Sequence, residues 1–321
     1  MDRREILSAA GLIAALAAGP GTADAAPAAF EPMALAFLPK PGEYTPLAAV
    51  SSDGVAIAGQ SWGNRAGPPL VFIHGYEQSG FCFLKQARGP LARKYHIITY
   101  DMRGHGQSGK PMTRAAYHDA RLFADDFMAV VDAAGVRGKV MPVGWSLGGR
   151  AVWDVLRYYP DRVAGAQLVG GGLGGRPEWA SSSSAAREEI IPRTLESSLD
   201  TNIWASANLL ATCFHKPPPL PEFLCMLAYN MVQPPEVRKL LVRRARQPIE
   251  FIRTVRHPVR FVIGEHDYAP GAAKLAAAAA MEALPGSEAI VIPGVGHSPF
   301  YEDAEAFDRQ LDAFASRVFG A

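Results

Sequence analysis

"VMPVGWSLGGRAVW", residues 140–153, sets one serine, Ser146, between glycines, directly after an apolar run and before a helix-like stretch. Glycine gives up packing and loses more chain entropy on folding than any other residue. A cluster of it inside a fold is tolerated where the backbone must bend sharply or another group must come close. Strand, G-x-S-x-G, helix is the nucleophile-elbow pattern, met here by Gly144, Ser146 and Gly148. Such a turn pushes the serine hydroxyl out above the sheet, and side chains two residues to either side would strike neighbouring backbone. The N–H of the next residue, Leu147, then lies at a helix N-terminus, where the dipole favours an anion.

A serine hydroxyl is a weak nucleophile until a base takes its proton, and the base needs an orienting carboxylate. The chain order for this elbow is serine, acid, histidine. Downstream, "AIVIPGVGHSPF" (289–300) closes a strand with a loop holding His297, the candidate base. Before it, "VRFVIGEHDYAP" (259–270) closes a strand with a turn holding Glu265, His266 and Asp267. Both loops follow strand C-termini, where open α/β sheets place their sites. An oxyanion also needs a second N–H donor. "VFIHGYEQSG" (71–80) supplies Tyr76, whose backbone N–H joins that of Leu147, while His74 reads as a loop-orienting residue. Trp145 either lines the pocket or packs the elbow.

The rest of the chain fits a doubly wound, mostly parallel α/β sheet. Strands are expected at 55–60, 69–73, 96–100, 139–143, 165–169, 259–263 and 289–292, several apolar throughout, as strands covered on both faces should be. Helical spacing covers 121–134, with Gly135 as a stop signal, and 272–284, closed by Pro285-Gly286. Between the strands ending at 169 and beginning at 259 lies a gap far longer than an ordinary connection. It opens with "GGGLGG" and "SSSS", contains "KPPPLP" and "QPP", and otherwise reads helical. Residues 170–247 are therefore expected to form a mostly helical cap on a core made of 26–169 and 248–321.

With 321 residues, 49% of them apolar and 20% charged, the chain can bury a sizeable core. A formal net charge of +1 gives no support for nucleic-acid binding. The basic stretch from Arg238 to Arg260, with Lys239, Arg243, Arg244, Arg246, Arg253 and Arg256, reads as a solvated helix face. Residues 1–25 combine Arg3-Arg4, an Ala/Leu/Ile run and Ala23-Asp24-Ala25, the marks of a twin-arginine-like export signal. That implies a periplasmic or secreted protein with no stable membrane span after cleavage. Cys82, Cys213 and Cys225 match no zinc spacing; a Cys213–Cys225 bridge and three buried thiols both remain open.

The segments "FIHGYEQSG", "YDMRGHGQSGKP", "FADDFMAVVDAAGV", "VGWSLGG", "GEHDYAP" and "GHSPFYEDAEAFDRQLDAF", in this order, resemble the α/β-hydrolase family across nearly the whole mature length. The DMRGHGQSG and GWSLGG segments are most similar to the branch holding cofactor-free haloperoxidases, esterases and lactonases. The family pattern G-x-x-D-x-x-P fits Gly264, Asp267 and Pro270, which selects Asp267 as the acid. The resemblance implies cleavage of a small-molecule ester or lactone through an acyl-enzyme, with no cofactor and no metal. Perhydrolysis, C–C bond hydrolysis and non-catalytic ligand binding share the scaffold. Ser146 argues against the aspartate-nucleophile dehalogenases and epoxide hydrolases. Gly104, Gly106 and Gly109 also spell G-x-G-x-x-G, but Lys110-Pro111 follows where a dinucleotide-binding helix would start.

Overall fold

The computed structural model describes residues 37–40, 42–171, 185–242, 244–267 and 272–320. The residues 1–25 that read as an export signal lie outside these. The strands are β1 (Thr45–Val50), β2 (Ala56–Gly63), β3 (Pro69–Ile73), β4 (His96–Tyr100), β5 (Met141–Trp145), β6 (Ala166–Val169), β7 (Val259–Gly264) and β8 (Glu288–Ile292). They form one sheet in the order β1-β2-β4-β3-β5-β6-β7-β8. β1 and β2 are antiparallel to their neighbours, and β3 to β8 run parallel. The direction of winding reverses between β3 and β5, the switch point at which such sheets open a crevice.

Side chains alternate across the pleat. Val71 and Ile73 join one apolar cluster with Phe127, Val131, Val152 and Trp153. Leu70 and Phe72 join another with Phe83, Phe300, Phe307 and Leu311. The first cluster is covered by helix α1 (Ala120–Ala133), whose N-terminus is capped by the Asp119 carboxylate accepting from Arg121 N–H at 2.8 Å. Helix α2 (Leu147–Tyr158) packs beside it and begins at the residue after Ser146. Ala280 of α7 (Ala272–Ala283) joins the same first cluster, whereas α8 (Ala304–Phe319) covers the second, on the sheet's other face.

Three sequence expectations are corrected. β1 was not anticipated; only Leu47 and Ala49 of its six residues are buried, a weak signal for a strand at the sheet's edge. β5 covers 141–145 rather than 139–143, so the first elbow glycine is part of the strand itself. The basic stretch is not one solvated face: Arg238, Arg244 and Arg260 are buried, whereas Lys239, Arg253 and Arg256 are exposed.

Within 170–247, the described residues form four helices: α3 (Ala185–Thr194), α4 (Leu199–Ala211), α5 (Leu220–Val232) and α6 (Pro235–Val242). Val237 and Leu241 of α6 enter the first core cluster. Arg244 pairs with Asp154 of α2, whose other oxygen accepts from Gln247 at 2.6 Å. Glu222 of α5 accepts from the Tyr301 hydroxyl on the core. No helix among the described residues is long and apolar enough to cross a membrane.

Candidate active site

The parallel strands bring the loops after β3, β5, β7 and β8 to one edge of the sheet. Ser146 sits where β5 turns into α2, with φ 53° and ψ −109°. This backbone region costs a non-glycine residue about 1–3 kcal/mol and persists only where the surroundings over-determine it. Here the Ser146 N–H donates to Val169 O at 2.9 Å. A side chain on Gly148 would overlap the carbonyls of Ile73 and His74, and one on Gly144 would meet Gly148 O at 2.5 Å. The glycines thus let α2 approach the end of β3, which carries the second loop of the site. Leu147 opens α2, so its N–H has no acceptor within the helix. The Tyr76 N–H donates to no backbone carbonyl among the described residues.

His297 and Asp267 come together. The ring Nδ1 of His297 lies 2.8 Å from Asp267 Oδ1, with both residues buried. Glu265 and His266, in the same turn, are exposed. The two loops close on each other because Gly264 has no side chain; a Cβ there would overlap the Gly296 carbonyl. Trp145 joins this pair to the elbow. Its indole N–H donates to the His297 carbonyl at 2.8 Å, and its ring packs against Phe300 and Gly75. Packing in the elbow accounts for each of these Trp145 contacts. Among the described residues, no direct hydrogen bond joins the Ser146 hydroxyl to His297.

The loop after β3 is fastened residue by residue. His74 is fully buried; its Nε2 accepts from Met102 N–H at 3.0 Å, which leaves Nδ1 to donate to Gly75 O at 2.7 Å. Burial holds its pKa below the usual imidazole value. It orients the loop as a neutral ring. The hydroxyls of Tyr76 and Thr194 lie 3.4 Å apart. Glu77 has φ 62° and no exposure to solvent. Its Oε2 accepts from Asn230 Nδ2 at 3.1 Å, and its Oε1 lies 3.3 Å from the Arg238 guanidinium in an ionic contact. Burial pushes this carboxyl up from its usual range, against the pull of Arg238. Gln78 donates to Asn230 Oδ1 at 2.5 Å, and Ser79 to Asp101 Oδ1 at 2.7 Å.

Glu77, Gln78, Asn230 and Arg238 were not anticipated. Their one local signal is an acid adjoining the expected oxyanion donor in a glycine-flanked loop. The G-x-G-x-x-G stretch is a closed loop: Gly104 N–H donates to Gly109 O at 2.9 Å, and the Asp101 carboxylate fills the space beside Gly106. Where a dinucleotide phosphate would lie, this loop holds its own acid.

A family model described as the alpha/beta hydrolase family matches residues 70–310. The chain is 41% identical over 120 residues to a non-heme chloroperoxidase of Streptomyces lividans. It is 38% identical over 120 residues to a bifunctional esterase/perhydrolase of Acinetobacter calcoaceticus. In both cases the match covers 37% of this chain and 42% of the relative. Among solved structures, the esterase RhEst1 of a Rhodococcus species superposes with a TM-score of 0.76 at 32% identity, over 86% of this chain and 99% of that one. The chain belongs to the alpha/beta hydrolase family, in the company of its haloperoxidases and esterases.

Proposed function

We propose that the protein is a serine hydrolase that cleaves a carboxylic ester or lactone through an acyl-enzyme. The observation that carries this reading is the buried His297–Asp267 pair, 2.8 Å apart, tied through Trp145 to the strained serine at the elbow. Ser146 Oγ attacks the carbonyl carbon as His297 Nε2 takes the hydroxyl proton. Asp267 fixes the ring with Nδ1–H toward it and stabilises the imidazolium that forms. The N–H groups of Tyr76 and Leu147 donate to the tetrahedral oxyanion. Collapse breaks the bond to the alkoxy oxygen, which leaves with the proton from His297. Water, deprotonated by the same ring, then releases the acid and frees Ser146.

The names of the chloroperoxidase and perhydrolase relatives favour a second outcome at the same acyl-enzyme. Hydrogen peroxide in place of water would give a peracid, which oxidises halide in solution. The two outcomes differ only in which nucleophile the pocket admits.

A fluorophosphonate probe should label the wild type and not Ser146→Ala. An unlabelled wild type would favour a non-catalytic binding role. Ester, lactone and peroxide-dependent halogenation assays on the same two proteins would rank the substrates. Ester hydrolysis retained by Ser146→Ala would overturn the assignment of the nucleophile.

A further inference from the structure

The ends of the oxyanion loop and its middle are held by different parts of the molecule. At the ends, His74 and Ser79 bond to Met102 and Asp101 in the loop after β4. In the middle, Tyr76, Glu77 and Gln78 meet Thr194 of α3, Asn230 of α5 and Arg238 of α6. Arg238 is fully buried and gathers the cap around this point. It donates to the Thr194 carbonyl at 3.0 Å and to Asn202 Oδ1 and Ser206 Oγ at 3.1 Å each.

On the hydrolase reading above, we infer that Glu77 is a positioning residue for the oxyanion donor, and that the cap sets it through Arg238 and Asn230. Two features support this. Glu77 holds a left-handed backbone conformation that glycine would adopt without strain, so side-chain bonds must supply what holds it there. Its backbone directly follows the Tyr76 peptide, so a shift at Glu77 re-aims the Tyr76 N–H. A lone carboxylate buried this close would also oppose the negative charge that develops on the substrate oxygen. Arg238 cancels it, making the pair a neutral strut between cap and donor. Assembly of the cap and completion of the oxyanion hole are then one event.

The test uses the full chain, with kcat and KM on an aryl acetate and Ki for a trifluoromethyl ketone, whose serine adduct carries the oxyanion. Glu77→Gln and Glu77→Gly should each lower kcat about tenfold or more with KM held within about threefold, the signature of an interaction made in the transition state. Ketone affinity should fall by a similar factor. Arg238→Lys should retain more turnover than Arg238→Met. Adding Glu77→Gln to Arg238→Met should cost less than the two separate losses multiplied, because the unpaired buried charge is gone.

Full turnover in Glu77→Gly would overturn the inference, since backbone freedom alone would then suffice. So would a rise in KM at constant kcat, or unchanged ketone affinity in Glu77→Gln. Should Arg238→Met fail to fold, the near-isosteric Glu77→Gln decides the matter. Ser146→Ala separates the two levels: activity surviving that change sinks the hydrolase reading, whereas its loss beside a fully active Glu77→Gln sinks only the role of Glu77.

Discussion

Arg103 and Arg238 are both wholly excluded from solvent, and each closes a loop at the rim of the site, but with different partners. Arg103, in the loop after β4, faces two carboxylates. Its Nε and Nη2 donate to Asp126 at 2.7 Å each, and Nη1 donates to Asp53 at 2.8 Å, with Ala116 O, Ser51 Oγ and Leu122 O as further acceptors. Arg238 meets its one carboxylate at 3.3 Å through Nη1, the same nitrogen that faces neutral oxygens of the cap helices, and its Nη2 donates to the Asn230 carbonyl. Arg103's partners lie in the turn between β1 and β2, in α1 and just before it, so its network locks the loop against its immediate surroundings in the core. Arg238's partners lie in the helices of 185–242 and in the loop after β3, so on the inference above its network would transmit position from those helices to that loop. A buried charge is expensive in either place, yet one lock serves stability and the other serves geometry at the site.

That contrast can be broken or sharpened by measurement. The largest effect is expected at the point both loops frame: Ser146→Ala should lower ester turnover by up to about a millionfold with the melting temperature nearly unchanged. A large loss of stability instead would mean that the strained serine is structural. Next, Arg103→Met should destabilise the fold by about 3–5 kcal/mol, because it strands Asp126 in the interior. Activity per folded molecule should change little, in contrast to Arg238 variants; denaturant melts with active-site titration check it. Equal losses of turnover from both arginines would erase the distinction. Trp145→Phe keeps the packing and removes the indole N–H, so stability should fall by about 1 kcal/mol and kcat by about tenfold, through a His297 loop that has lost its anchor. The smallest effect belongs to Asp308, a buried carboxyl whose pKa burial raises to about 6.

The sign for Asp308 follows from proton linkage. The folded state holds the Asp308 proton more tightly than the unfolded chain, so the stability it lends is complete at low pH. It is lost as pH rises from the ordinary carboxyl range through about 6. Asp308→Asn retains an oxygen to accept from Gln86 Nε2, now 3.0 Å from Asp308 Oδ1. It should therefore raise the melting temperature at pH 8 and leave it nearly unchanged at pH 4. A variant less stable than wild type at pH 8 would show that the ionised carboxylate is needed there.

The positions of the candidate site residues were legible because each of them obeys a local rule. Gly144 and Gly148 mark a turn that only glycine permits, and His297 and Asp267 each follow an apolar strand within a few residues. Strands β3 and β4 matched their expected limits, since nearly continuous burial leaves short runs rich in apolar and β-branched residues. β1 was missed because an edge strand with one sparsely buried face carries little pattern. Arg238 was misread for a different reason. A positive charge in a basic stretch is read as solvated, and its true partner lies 161 positions away at Glu77. Pairing at that separation leaves no trace in periodicity, so the contact between α6 and the loop after β3 emerges only in three dimensions.

The indole of Trp145 has a spectroscopic consequence. Its ring centroid lies 5.7 Å from that of His297, within range for a protonated imidazole to quench its emission. In a variant keeping Trp145 and replacing the chain's four other tryptophans by phenylalanine, fluorescence would report the charge on His297. Acylation, deacylation and inhibitor capture could then be timed optically, with an unmodified substrate and no chromogenic leaving group.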